Sequence, residues 1–148
     1  MKTTALFTAT FSILVVGVSF NSAATPIEDP TKAYCSLKTL RGSYIYTNQG
    51  YSGGQPYASS GLMSFNGAGK IAVIYTNSIT REQVPTTGTY TVDSNCSGTM
   101  TFATGSTVNN ISNTYLSPTG DSMTFVRVSG DDVIGSEAKR VSRKLIVK

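Results

Sequence analysis

The chain has 148 residues, 12 Lys and Arg against 8 Asp and Glu, 2 cysteines, 8 tyrosines, and no histidine or tryptophan. The missing histidine excludes Ser-His-Asp and Cys-His nucleophilic sites and histidine metal centres. The length allows one ordinary domain with a single core.

Residues 1–24 read as a secretory signal peptide. Lys2 gives a positive start, Ala5 to Phe20 is apolar and small around Ile13-Leu14-Val15-Val16, and Ser22-Ala23-Ala24 offers small residues for cleavage before Pro26. A transmembrane anchor is the alternative. It is disfavoured because threonines and serines interrupt the run, which is short for a bilayer span of ~20 residues. The expected location is therefore secreted or periplasmic, without stable membrane insertion after cleavage. Lys32-Ala33-Tyr34 before Cys35 is no lipobox, so no lipid anchor is expected there.

Loss of Lys2 with the leader leaves 11 bases against 8 acids, a net charge of +3. Lys139, Arg140, Arg143, Lys144 and Lys148 fall in the last ten residues, so the rest is close to neutral. This tail lacks interleaved aromatics, so no nucleic-acid surface is read from it. The expected organisation is a polar lead-in over 25–34, a β-domain over 35–142 and a solvated basic tail over 143–148.

Two cysteines in an exported chain predict one disulfide, Cys35–Cys96. Closing a loop of about 60 residues stabilises by about 4 kcal/mol in the chain-entropy model. Two free thiols are the alternative, but nothing near Cys96 would lower a thiol pKa, Asp93 being the nearest charge in sequence.

In chain order, Leu40–Tyr46 is the first predicted strand, with Leu40, Gly42, Tyr44 and Tyr46 on one face. Asn48–Pro56 reads as a glycine-rich loop able to cover a barrel mouth. Tyr57–Phe65 is a strand, and Asn66-Gly67-Ala68-Gly69 a hairpin turn. Lys70–Thr76 is a strand apolar on both faces, and a short strand is expected around Ile79–Gln83. The central hairpin follows, Thr87–Asp93 and Gly98–Ala103 around Cys96. Its Tyr90, Val92, Met100 and Phe102 face should be buried, and the face of Thr89, Thr91, Thr99 and Thr101 more exposed. Gly105-Ser106 turns into Thr107–Leu116, Ser117–Gly120 into Ser122–Val128, and Ser129–Asp132 into Val133–Val141. With no helical periodicity, the pattern predicts an all-β fold. The preferred form is a single antiparallel up-and-down barrel of about eight strands, and a β-sandwich is the alternative.

Several motifs carry a resemblance. These are Cys35-Ser36, Leu40-x-Gly42-x-Tyr44, Phe65-Asn66-Gly67-x-Gly69-x-Ile71, Gly88-Thr89-Tyr90-Thr91-Val92 and Cys96-Ser97-Gly98-Thr99. Over about Cys35 to Arg140 the chain resembles a group of small exported bacterial proteins, mostly uncharacterised. That resemblance implies a calycin-like or allene-oxide-cyclase-like β-barrel. Its motifs are turns, glycines and a cysteine pair, so it carries over no catalytic residue.

No phosphate-cradling loop or other cofactor motif is present, so no cofactor is expected. Asp131-Asp132 reads as a solvated turn and not as a metal site. The strand tyrosines, Tyr44, Tyr46, Tyr75, Tyr90 and Tyr115, offer apolar bodies with polar tips, suited to a small-molecule pocket or to ordinary core packing. The expected binding site for a small apolar or aromatic ligand is Tyr44, Tyr46 and Tyr57, with Arg127 or Glu137 as polar contact. Arg127 and Glu137 would be surface charges if they point outward. Three readings follow: a ligand-binding barrel, a barrel-type cyclase or isomerase, and a structural or surface-associated protein whose barrel is filled by side chains. The balance leans away from an enzyme.

Overall fold

Alternation of apolar and hydroxyl side chains along short runs, broken by Asn-Gly, Gly-Gly and Pro-bearing turns, yields eight strands and one short helix. A computed structural model describes residues 34–104 and 107–148. The segment read as a signal peptide, most of the lead-in and the Gly105-Ser106 turn lie outside the described residues. After a 3-10 helix, η1 (Leu37–Leu40), come β1 (Gly42–Ser52), β2 (Gln55–Phe65), β3 (Lys70–Asn77), β4 (Gln83–Val92), β5 (Ser97–Thr104), β6 (Thr107–Leu116), β7 (Ser122–Arg127) and β8 (Val133–Ser142). Every strand pairs antiparallel with its sequence neighbours, and β8 pairs with β1 to close the barrel. The chain is thus the expected eight-stranded meander barrel and not a sandwich.

The period of two places Tyr44, Tyr46, Met63, Phe65, Ile71, Val73, Tyr90, Met100, Met123, Phe125 and Ala138 in one buried core. Val92 and Phe102 pack against it. Thr89 and Thr91 are exposed, and Thr99 and Thr101 half-buried, so the central hairpin faces as its alternation predicts. The Phe65 ring meets Tyr44 edge-on at 5.3 Å and Tyr90 at 5.0 Å, the favoured geometry for aromatic quadrupoles.

Three stretches differ from the sequence reading. Leu40 ends η1 and does not begin a strand. Thr39 turns back on Ser36, its Oγ1 accepting from the Ser36 N–H at 3.0 Å, and Leu40 drops fully buried onto the end of the barrel. The glycine-rich loop is mostly strand, because β1 runs to Ser52 and β2 starts at Gln55. Only Gly53-Gly54 turns, with φ of 59° and 76°, the left-handed pair that two-residue hairpins require. Gly50 is a strand glycine for steric reasons, since a Cβ there would collide with the Val133 carbonyl. The short strand expected around Ile79–Gln83 is instead a turn, where Asn77 Oδ1 accepts from the Ile79 and Thr80 N–H groups at 2.9 Å each. Pro85 sits within β4 opposite Ile74. Among the described residues the β4–β5 ladder ends at Gly88↔Phe102, three residues short of Pro85, so the missing N–H breaks none of its described pairings.

The C-terminal segment is not freely solvated. Ser43 Oγ donates to the Lys144 carbonyl at 2.8 Å, and Ser43 and Ser64 accept from the Ile146 and Val147 N–H groups at 2.8 and 3.0 Å. Its backbone thereby covers the outer face of β1 and β2, while Arg143, Lys144 and Lys148 keep their charges in water.

Cys35 and Cys96 form the expected disulfide, with Cα atoms 5.0 Å apart. The bond ties the segment before η1 to the β4–β5 turn, where Cys96 itself takes a φ of 67°. Free-thiol titration of the denatured, unreduced protein should find no thiol. The double Cys→Ser variant should lose about 4 kcal/mol in denaturant unfolding. A pair of titrating thiols in the unreduced protein would refute the bond.

Candidate functional site

The two ends of the barrel are built differently. At the η1 end the interior is filled. Tyr44 Oη donates to the Gly120 carbonyl at 2.6 Å and accepts from Arg140 Nε at 3.0 Å. Arg140 Nη2 reaches the carbonyls of Thr39 at 2.5 Å and Gly120 at 2.7 Å, and its Nη1 lies 3.6 Å from Asp121 Oδ1. The Arg140 side chain is only 6% exposed, so its charge is spent on this plug. Tyr90 Oη donates to the Leu37 carbonyl at 2.9 Å and fixes the helix over the barrel end. Burial raises the Tyr44 pKa, and Arg140 partly opposes that rise.

Toward the other end, which carries the β1–β2 and β7–β8 turns, the interior is hollow. A cavity of ≈ 250 Å³ is walled by Met63, Val73, Met100, Phe102, Phe125 and Ile134. Polar tips come from Tyr46, Asn48, Tyr57, Tyr75, Asn110, Ser112, Arg127 and Ser136. Thr86 and Ala103 border it where the β4–β5 ladder has stopped. Tyr46 packs its ring 6.2 Å from that of Phe125. Burial raises the Tyr46 pKa, with smaller contributions from the Tyr57 and Tyr75 phenols. Burial and Tyr57 raise that of Tyr75, against a lowering by Arg127. These phenols therefore remain protonated at neutral pH and can donate.

Arg127 extends from the end of β7 into the cavity wall and forms an ion pair with Asp132 of the β7–β8 turn. Burial works against the Asp132 charge. The Ser52 hydroxyl, the Arg127 guanidinium and the Gly53 N–H outweigh it and hold the carboxyl below its ordinary value. Through Ser52 and Gly53, Asp132 also joins the β7–β8 turn to the β1–β2 turn across the rim.

Of the residues singled out from the sequence, Tyr46, Tyr57 and Arg127 line the cavity. Tyr44 and Glu137 do not. Tyr44 belongs to the plug, one turn of the inward alternation closer to η1. Glu137 is exposed, because β8 turns Ser136 and Ala138 inward and leaves Glu137 outside. Tyr115 is likewise on the outer face, 58% exposed. Asp132, read as a solvated turn residue, is the partner of Arg127. The sequence reading missed Asn48 and Ser136, although continuing the Tyr44–Tyr46 alternation by two residues would have placed Asn48 inside. Among the described residues no group of three or more His, Cys, Asp or Glu is arranged to hold a metal ion.

Comparison with known proteins found no matching family model, no matching curated protein and no matching solved structure.

Arg140→Met strips two buried carbonyls of a charged donor and should lower unfolding stability by about 3 kcal/mol. Tyr44→Phe should lower it by about 1–2 kcal/mol. Urea unfolding measures both, and neither change should alter the cavity. For Asp132, a folded pKa below the unfolded one means its contribution is fully present above about pH 4 and disappears as pH falls through the folded pKa. Wild type should therefore be more stable than Asp132→Asn at pH 6. The gap should close as the pH is lowered toward 2. A gap independent of pH would refute the assignment.

Proposed function

We propose that this protein is an exported ligand-binding barrel that takes a small apolar or aromatic molecule into the cavity walled by Tyr46, Tyr57 and Arg127. The observation that carries the reading is the cavity itself. The η1 half of the barrel is filled by Tyr44, Phe65, Tyr90 and Leu40, but the other half holds ≈ 250 Å³ of space whose wall mixes apolar side chains with at least as many polar-tipped ones. A concave space with apolar surface and convergent polar groups is where small molecules bind. The disulfide fits an oxidising compartment such as a periplasm or the exterior. The signal-peptide pattern and the resemblance to small exported calycin-like barrels support export from the sequence side.

An isomerase or cyclase reading is weaker on the same geometry. The phenols are pushed toward their protonated form, and Asp132 is held as a carboxylate by Arg127. Neither is suited to move a proton near neutral pH. A purely structural reading leaves the hollow half without a purpose.

A ligand that binds only the folded state stabilises it by RT ln(1 + [L]/Kd). At ten times Kd this is about 1.4 kcal/mol, or roughly 5 °C in Tm for a domain of this size. Screening small aromatic and aliphatic compounds by thermal shift should find such members. Val73→Phe, which puts a ring into the cavity, should keep its own Tm within a few degrees of wild type and abolish the shift. A screen with no shift in wild type would count for the structural reading.

A further inference from the structure

We propose that the cavity selects an uncharged ligand bearing a hydrogen-bond donor, such as a phenol, and that Asn48 and Ser136 receive that donor; this rests on the ligand-binding reading above. Three buried side-chain atoms lack a hydrogen-bond partner among the described residues, and two of them, Asn48 Oδ1 and Ser136 Oγ, belong to residues lining the cavity. They are not scattered. Asn48 and Ser136 stand directly opposite each other across the β1–β8 seam, both on the inward side of the alternation. The Asn48 amide is oriented from its other flank, where Nδ2 donates to Ser59 Oγ at 2.9 Å. That leaves Oδ1 without a partner among the described residues; it is covered in this structure, so a ligand donor meets it once the side chain turns toward the cavity. Folding proteins rarely leave a buried acceptor unmet, because its lost hydration is not repaid. A ligand donor placed here removes that deficit.

The electrostatics of the wall decide the ligand's charge. Among the described residues Arg127 alone is formally charged in the cavity wall, and Asp132 already neutralises it. Glu137 points away. An anion would find no unspent cation and a cation no unspent carboxylate, so either would lose hydration without return. A neutral molecule meets no such penalty.

Apolar side chains stand on several strands of the wall, Met63 on β2, Val73 on β3, Met100 and Phe102 on β5, Phe125 on β7 and Ile134 on β8. A ring can therefore pack against them while its donor is directed to the seam. A dry cavity of about 150 Å³ is enough for benzene. The ≈ 250 Å³ here suits one substituted ring.

The test uses three probes of similar size on the folded, disulfide-bonded protein, with Kd measured by titration calorimetry. These are 4-ethylphenol, 1-ethyl-4-fluorobenzene, which lacks the donor, and 4-ethylbenzoate, which carries a charge. The phenol should bind about tenfold tighter than the fluoro compound, and the benzoate more weakly than the phenol. Asn48→Leu should bring the phenol-to-fluoro ratio close to one while the fluoro compound still binds. Ser136→Ala, a milder change that keeps the Asn48 amide, should reduce the ratio part of the way. Equal binding of phenol and fluoro compound to wild type would overturn this subsite and leave the apolar-ligand reading standing. So would a ratio that neither variant moves. Tightest binding by the benzoate would overturn the neutrality argument in the same limited way. No binding by any of the three would overturn this inference and the ligand-binding reading together.

Discussion

Closing a meander of eight strands requires the last to pair with the first, and the β1–β8 seam orders the interior on both sides of it. Once Tyr46 stands opposite Ala138, alternation leaves no freedom. Tyr44 must lie beside Arg140 on one side, and Asn48 beside Ser136 on the other. The first pairing makes a plug and the second makes a polar edge to a cavity. A register slip of one residue would turn all of these outward together, and would bring Glu137 and Lys139 into the barrel. The seam carries one irregularity, a bulge between Ser43 and Tyr44. It lies at the plugged end, where the outgoing chain folds back over Ser43 and Ser64.

The closed end is held several times over. The disulfide anchors the segment before η1, Tyr90 holds the helix by its Leu37 carbonyl, and Arg140 joins Thr39, Tyr44 and Gly120. The cation–π approach of the Arg140 guanidinium to the Tyr44 ring, at 5.4 Å, adds to the same cluster. These contacts join parts of the chain far apart in sequence, so they oppose unfolding where the entropy lost in closing long loops is greatest. A domain with a hollow in its core forfeits dispersion contacts along that hollow. The dense cross-linking of the opposite end offsets that loss without filling the space.

Much of this was legible in the sequence, because alternation, turn residues and the cysteine count are local signals. Parity alone places Tyr90 and Met100 inward and the threonine face of the central hairpin outward. The stretch from Asn48 to Pro56 was not legible. Its glycines and polar residues look like a loop, yet Gly50 is required by the approach of Val133 on β8, a strand over eighty residues away. Reading that stretch as a loop hid Asn48 from the candidate site. Arg127 and Glu137 could not be separated by charge, only by their places in the alternation of β7 and β8. Asp132 was hidden for a different reason, since its role depends on Arg127 reaching it from the preceding strand and Ser52 from across the rim.

The rim gives the last step. The cavity ends where two turns meet, the Gly53-Gly54 turn, with nothing within 4 Å of where a Cβ would stand on either glycine, and the Ser129–Asp132 turn. Asp132, paired with Arg127 and with Ser52 and Gly53 beside it, ties them. Next to them, β4 from Gln83 to Thr87 has no β5 partner among the described residues. The same end of the molecule thus holds the free volume and the unpartnered acceptors. Their coincidence is what the proposed binding site rests on, a place to occupy and groups to meet a guest. The η1 end, with its interior filled and its strands tied by Arg140 and the disulfide, offers neither.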